Sequence, residues 1–229
     1  MWFFYHRAFK MTNQIAIIDP FVNGPSVNCF NSLVNVLGVK ATYHIPGPQG
    51  IDSLLNEASR SQAYIVLGSA SNISEELPWH KPLADFLMQE LKKNKPIMGF
   101  CFGHQIMCHA LGSEVGFHTP EKIKLMGVRK ICITEDFWNF KKDESFLLGV
   151  THKQVVRNLP AGLKEVGLGL ENDIVIHEYL PFMGTQAHPE ASDYFCTNDI
   201  TNLNLSEIGA IQKDGARLIQ RFFQHFKLI

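Results

Sequence analysis

One run in this chain has the make-up of a nucleophile: Gly99-Phe100-Cys101-Phe102-Gly103-His104-Gln105. It follows an apolar run that reads as a strand, Pro96 to Phe100, and opens one that reads as a helix, Phe102 to Leu111. A side chain on a sharp strand-to-helix turn stands clear of its neighbours, and small residues two positions away on either side give the turn room. The helix N-terminus supplies unpaired N–H groups and a positive dipole end. Both favour a thiolate and an oxyanion on a substrate. Against this stands the ordinary fate of a buried cysteine, which is to be inert core.

A thiol nucleophile needs an oriented base. Gly184-Thr185-Gln186-Ala187-His188-Pro189-Glu190 offers one. Pro189 biases His188 toward an extended backbone, and in extended chain residues two apart share a side. Glu190 would then accept one ring N–H, fixing the tautomer and leaving the other nitrogen for the thiol. The plainer alternative is a surface histidine beside a surface glutamate. His44, His80, His109, His118, His177 and His225 have no such setting and read as surface or satisfied core groups. His104 and Cys108 are four apart on one helix, but no third ligand stands near them, so no metal site is expected.

The elements that must carry these residues alternate in the first half. Strands are expected over Gln14–Asp19, Ala41–Ile45, Ala63–Leu67 and Pro96–Phe100; helices over Ser26–Leu37, Ile51–Ala58, Trp79–Lys93 and Phe102–Leu111. Such alternation argues for a parallel sheet covered on both faces, with ligands at the carboxyl ends of its strands. The second half reads as strands with short turns, at Lys124–Glu135, Gln154–Arg157, Leu163–Leu168, Asp173–Tyr179 and Met183–Gln186, closed by an amphipathic helix over Ile208–Phe226. No repeat or linker divides the 229 residues, so a single domain is expected, with residues 1–10 a possible N-terminal appendage.

Composition closes off several classes. The chain is 45% hydrophobic and 19% charged, as in a globular protein, and its formal net charge of −1 points to neither nucleic acid nor an anionic membrane. Lys122, Lys124, Arg129 and Lys130 read as a solvated edge. Five irregularly spaced cysteines, Cys29, Cys101, Cys108, Cys132 and Cys196, suit free thiols in a reducing, cytoplasmic setting. No signal peptide or membrane span is recognisable.

Taken together, the elbow and the later H-P-E resemble the class I glutamine amidotransferases, whose G-x-C-x-G-x-Q and H-P-E stand here in the same order. Gly68-Ser69-Ala70-Ser71-Asn72-Ile73 looks like that family's oxyanion loop, and Thr151-His152-Lys153-Gln154-Val155 like the segment lining its substrate pocket. The resemblance implies an α/β, flavodoxin-like, doubly wound and mostly parallel sheet, with helices on both faces and a smaller antiparallel strand set. It implies hydrolysis of a glutamine side-chain amide by Cys101, His188 and Glu190, with the backbone N–H groups of Ser69 and Phe102 as oxyanion hole. Gly68, Gln105, Thr151 and His152 would line the substrate.

No cofactor is implied, and the chain contains no G-x-x-x-x-G-K-[ST] run. An amidotransferase role would therefore call on a separate acceptor or synthetase subunit. Ser69 stands where synthetase-fused members have glycine, Asn72 where serine is usual and Lys153 where glycine is usual. The Gly68-Ser69 form looks more like the stand-alone branch, which includes γ-glutamyl peptide hydrolases. Free glutamine and a γ-glutamyl peptide thus compete as substrate, with a non-catalytic module on the same fold as the alternative from another class.

Overall fold

A computed structural model describes residues 13–200 and 203–229; the expected appendage at residues 1–10 lies outside them. The strands are β1 (Gln14–Ile18), β2 (Lys40–His44), β3 (Ala63–Val66), β4 (Ile97–Phe100), β5 (Glu114–Phe117), β6 (Leu125–Ile133), β7 (Ser145–His152), β8 (Gln154–Arg157), β9 (Leu163–Leu168), β10 (Ile174–His177) and β11 (Phe182–Thr185). The helices are α1 (Val27–Leu37), α2 (Pro46–Gln49), α3 (Asp52–Glu57), α4 (His80–Lys92), α5 (Phe102–Ala110), α6 (Asp193–Asn198) and α7 (Leu205–His225).

Nine strands form one sheet in the order β2-β1-β3-β4-β11-β10-β9-β6-β7, and β5 pairs with β8 in a small antiparallel sheet. The five strands from β2 to β11 run parallel. From β11 onward every pairing is antiparallel, so the antiparallel strands of the second half continue the edge of the parallel set.

Period-two alternation along the buried strands sorts the core onto two faces. Ile15 and Ile17 join the cluster under α1 and α7, with Leu33, Leu37, Leu218 and Phe222. Ala16 and Ile18 join the opposite one, under α4 and α5, with Leu83, Leu87, Ile106 and Met107. α7 buries Ile208, Ile211, Leu218, Ile219, Phe222 and Phe223 at three- and four-residue spacing, and a capping box between Asn204 and Glu207 starts it.

The expected elements stand within a few residues of the observed ones. β5, β7, α2 and α6 are additional. The sheet curls far enough for its edge strand β7 to meet the chain beyond the central strand β11, where the His188 N–H donates to the Gly149 carbonyl at 2.9 Å. The basic cluster is not uniformly a solvated edge: Arg129 pairs with fully buried Asp173 at 2.6 Å, whereas Lys124 is exposed. No helix among the described residues is long and apolar enough to cross a membrane.

Candidate active site

Cys101 follows the central strand β4 directly and occupies the N-cap position of α5 with φ 46° and ψ −100°. A non-glycine residue held in this region costs on the order of 1–3 kcal/mol and persists only where its surroundings fix it. Three backbone bonds do so: Cys101 N–H to Thr185 O at 2.8 Å, Gly103 N–H to Leu67 O at 3.2 Å, and Gln105 N–H to Cys101 O at 3.0 Å. The flanking glycines are required by contact. A Cβ on Gly99 would lie 2.5 Å from the Gly103 carbonyl carbon, and one on Gly103 would lie 2.2 Å from Val66 O.

β11 pairs in parallel with β4, Thr185 opposite Phe100, so the chain beyond β11 emerges beside Cys101. There His188 and Glu190 are both buried, and His188 Nδ1 lies 2.9 Å from Glu190 Oε1. The arrangement is tight behind as well as in front. Phe195 packs on the His188 ring at 4.6 Å between centroids, and a Cβ on Gly215 of α7 would lie 2.1 Å from Pro189 O.

The His188 ring and the Cys101 side chain converge on Gly68. A Cβ there would sit 2.6 Å from His188 Cε1 and 3.6 Å from Cys101 Cβ. Burial alone would push the His188 ring down, but the Glu190 carboxylate, and then the Cys101 sulfur, outweigh it and hold the ring up to about 10. His188 Nε2 has no well-formed hydrogen bond of its own among the described residues.

Gly68, Ser69, Cys101 and Gln105 line one cavity of about 570 Å³, together with Thr151, His152, His188 and Glu190. Phe102 is not on the cavity wall: its side chain is fully buried against Trp79 and His80, away from the cavity. Neither the Phe102 nor the Ser69 N–H finds an acceptor among the described residues. Gln105 is on the wall with its amide nitrogen engaged, donating to Gln154 O at 2.8 Å and to Gln186 Oε1 at 3.2 Å, which leaves its carbonyl oxygen for a ligand. The Cys101 thiol reaches Thr151 O at 3.7 Å.

His152 is wedged between Gln154 O, 3.1 Å from Nδ1, and Arg129, 3.4 Å from Nε2. Burial and then the Arg129 guanidinium push its ring down to about 3, so it serves as a neutral donor and acceptor. No group of three or more metal-ligating side chains stands together among the described residues.

Several contacts in and around the site come from residues that the sequence marks only as parts of a segment, or not at all. Gln154, the first residue of β8, is buried and its Oε1 accepts the Ile73 N–H at 2.9 Å, tying down the loop that begins at Gly68. Ser71 adds a second tie, its N–H donating to Ser69 Oγ at 3.1 Å and its hydroxyl lying 3.4 Å from His80 Nε2. Asp19, at the carboxyl end of β1, accepts from the Ser26 N–H at 2.5 Å and from Tyr43, and its burial raises its pKa. Asp19-Pro20 reads in sequence as a turn and nothing more.

Comparison with known proteins gives the family and the fold. The family model described as glutamine amidotransferase class-I matches residues 58–200. A GMP synthase [glutamine-hydrolyzing] of Wolbachia sp. subsp. Brugia malayi is 31% identical over 42% of this chain and 19% of its own length. Gamma-glutamyl peptidase 4 of Arabidopsis thaliana is 21% identical over 58% of this chain and 55% of its own. The chain thus spans less than two thirds of these relatives. The crystal structure of a glutamine amido transferase from Methylobacillus Flagellatus superposes with TM-score 0.76 at 15% identity, covering 93% of this chain and 95% of that one, a likeness of fold.

Proposed function

From a chain that belongs to the class-I glutamine amidotransferases, we propose thiol-dependent hydrolysis of a γ-glutamyl amide, with Cys101 as nucleophile, His188 as its base and Glu190 as the group that orients the base. The observation that carries the proposal is the convergence on Gly68: the His188 ring and the Cys101 Cβ both lie within contact of a Cβ placed at that one position, with the far ring nitrogen held by a buried carboxylate.

In the first step the Cys101 sulfur attacks the amide carbon, and the carbonyl oxygen, taking up negative charge, points toward the Ser69 and Phe102 N–H groups. Removing one such donor typically costs about 10²–10³ in turnover. The C–N bond then breaks. The nitrogen takes the proton that His188 received from the thiol and leaves as ammonia or an amine. Water, giving its proton to His188, opens the γ-glutamyl thioester, and glutamate and the thiol are restored.

The Cys101 elbow caged by three backbone bonds, and the loop tied by Gln154, support a site formed before any ligand or partner arrives. Where ammonia is passed on, its acceptor would be another subunit or domain. The test is glutamate release from glutamine and from γ-glutamyl dipeptides, with Cys101→Ala as the blank. Release no greater than that blank on every such compound would remove the proposal.

A further inference from the structure

The cavity is larger and differently charged than a glutamine side chain calls for. Lys124 and Lys153 both line it, and both are exposed. Leu125 pairs with His152 at the end of the β6–β7 ladder, so the two lysines stand opposite each other at its open end. Neither makes an ion pair among the described residues. Two like charges held together without a counterion raise the local affinity for an anion.

Among the described residues the other charged ones on the wall are Glu190, engaged with His188, and Asp199. Outside the triad the described wall therefore presents two cations and one carboxylate. Glutamine carries one carboxylate and one ammonium. A γ-glutamyl amino acid carries one ammonium and two carboxylates, which is the complement of this wall. The rim also exposes apolar surface: Val22 is 43%, Val27 46% and Tyr194 62% exposed, all three on the cavity. Convergent polar groups beside an apolar wall, in a volume of this size, describe a small-molecule site.

We infer that the cavity takes γ-glutamyl amides of apolar α-amino acids, with Lys124 and Lys153 meeting the substrate's carboxylates and Val22, Val27 and Tyr194 covering the side chain of the leaving amino acid. This deepens the reading of Cys101 as a γ-glutamyl thiol hydrolase and rests on it. The bond broken is the amide between the γ-carbonyl and the amino acid's nitrogen. That nitrogen leaves with the His188 proton, and the later water supplies the hydroxyl of glutamate.

Binding separates the inference from the reading. Cys101→Ala, or Cys101→Ser should the first be unstable, is titrated calorimetrically with γ-glutamylphenylalanine, γ-glutamylphenylalaninamide and glutamine. γ-Glutamylphenylalanine should bind about tenfold or more tighter than glutamine. Removing its terminal carboxylate, or adding K124Q and K153Q, should narrow that ratio about five- to tenfold, as for two partly exposed ion pairs. The ratio should also shrink with added salt. Equal binding of glutamine, or a ratio untouched by the double substitution, would overturn the inference. Glutamate release by the unsubstituted chain is measured alongside. Tight dipeptide binding without Cys101-dependent release would uphold the subsite and remove the hydrolase reading, and release with glutamine preferred would do the reverse.

Discussion

Substituting Gly68 by alanine is the sharpest probe of the proposed chemistry, because the added methyl would enter the one point where thiol and base meet. It would lie 2.6 Å from His188 Cε1, where carbon atoms rest at about 3.5–4.0 Å. Something must therefore retreat by roughly 1 Å. The ring has little freedom: Nδ1 is held by Glu190 at 2.9 Å and its backbone N–H by Gly149 at 2.9 Å. The loop is held at Ile73 by Gln154. Either retreat breaks the site, since moving the ring separates base from thiol and moving the loop displaces the Ser69 N–H. A misplacement of about 1 Å costs on the order of 10²-fold in rate, while overpacking costs about 1–3 kcal/mol of stability. The expected result is a kcat/KM for glutamate release lowered about 10²-fold, slower alkylation of Cys101 by iodoacetamide, and a protein that still unfolds cooperatively. Wild-type kcat/KM together with wild-type alkylation would refute the claim that Gly68 holds thiol and base in register.

Other outcomes follow from the same geometry. Gln154→Ala strands the buried Ile73 N–H, which costs about 1–3 kcal/mol; hydrogen exchange at Ile73 should quicken and turnover should fall, and unchanged exchange would dismiss the tie. His188 is held up to about 10, above its unfolded value, mainly by Glu190 acting against burial. Its contribution is therefore complete below about pH 6.5 and is lost as pH rises toward 10; the stability gap between wild type and Glu190→Gln in urea should shrink across that range, and a gap that widens would reverse the sign. Iodoacetamide near neutral pH should label Cys101 ahead of Cys29 and Cys196, whose burial pushes their thiols up to about 12 and about 11, and ahead of buried Cys108; peptide mapping that finds Cys29 first would contradict this. Gly215→Ala drives a Cβ to 2.1 Å from Pro189 O, and should lower both Tm and turnover, whereas a neutral effect would mean that α7 does not brace the His-Pro-Glu turn.

Residues whose positions are set by their neighbours in sequence were legible. The elbow is one strand, one turn and one helix, so the spacing of Gly99, Cys101 and Gly103 carries its shape. His188 and Glu190 are fixed by the proline between them. What the sequence leaves silent is set across the fold. β7 carries the long run Ser145–His152, in which Phe146, Leu148 and Val150 alternate into the core, but Leu147 and Gly149 between them blur the pattern. Gln154 looks like any strand-start polar residue until β8 brings it under Ile73. Lys124 and Lys153 are distant in sequence, and only the β6–β7 register sets them side by side. Gln105 was expected on the pocket wall and is there, yet the occupation of its amide nitrogen by Gln154 and Gln186 depends on two later segments.

The place of β11 in the sheet has a consequence for how the protein matures. It is the last strand in the sequence, yet it lies in the middle of the sheet, between β4 and β10. Until it inserts, β4 has one unpaired edge, and Cys101 has neither the Thr185 carbonyl that fixes its backbone nor the histidine proposed as its base. During synthesis the thiol therefore emerges long before its base. On the proposed chemistry the chain is disarmed for as long as it is incomplete, and competence arrives with the step that seals the sheet. The same delay exposes the hydrophobic edge Ile97–Phe100 to pairing with foreign strands. Conditions that slow insertion of β11 should thus lower yield through aggregation, while the molecules that do escape retain full specific activity.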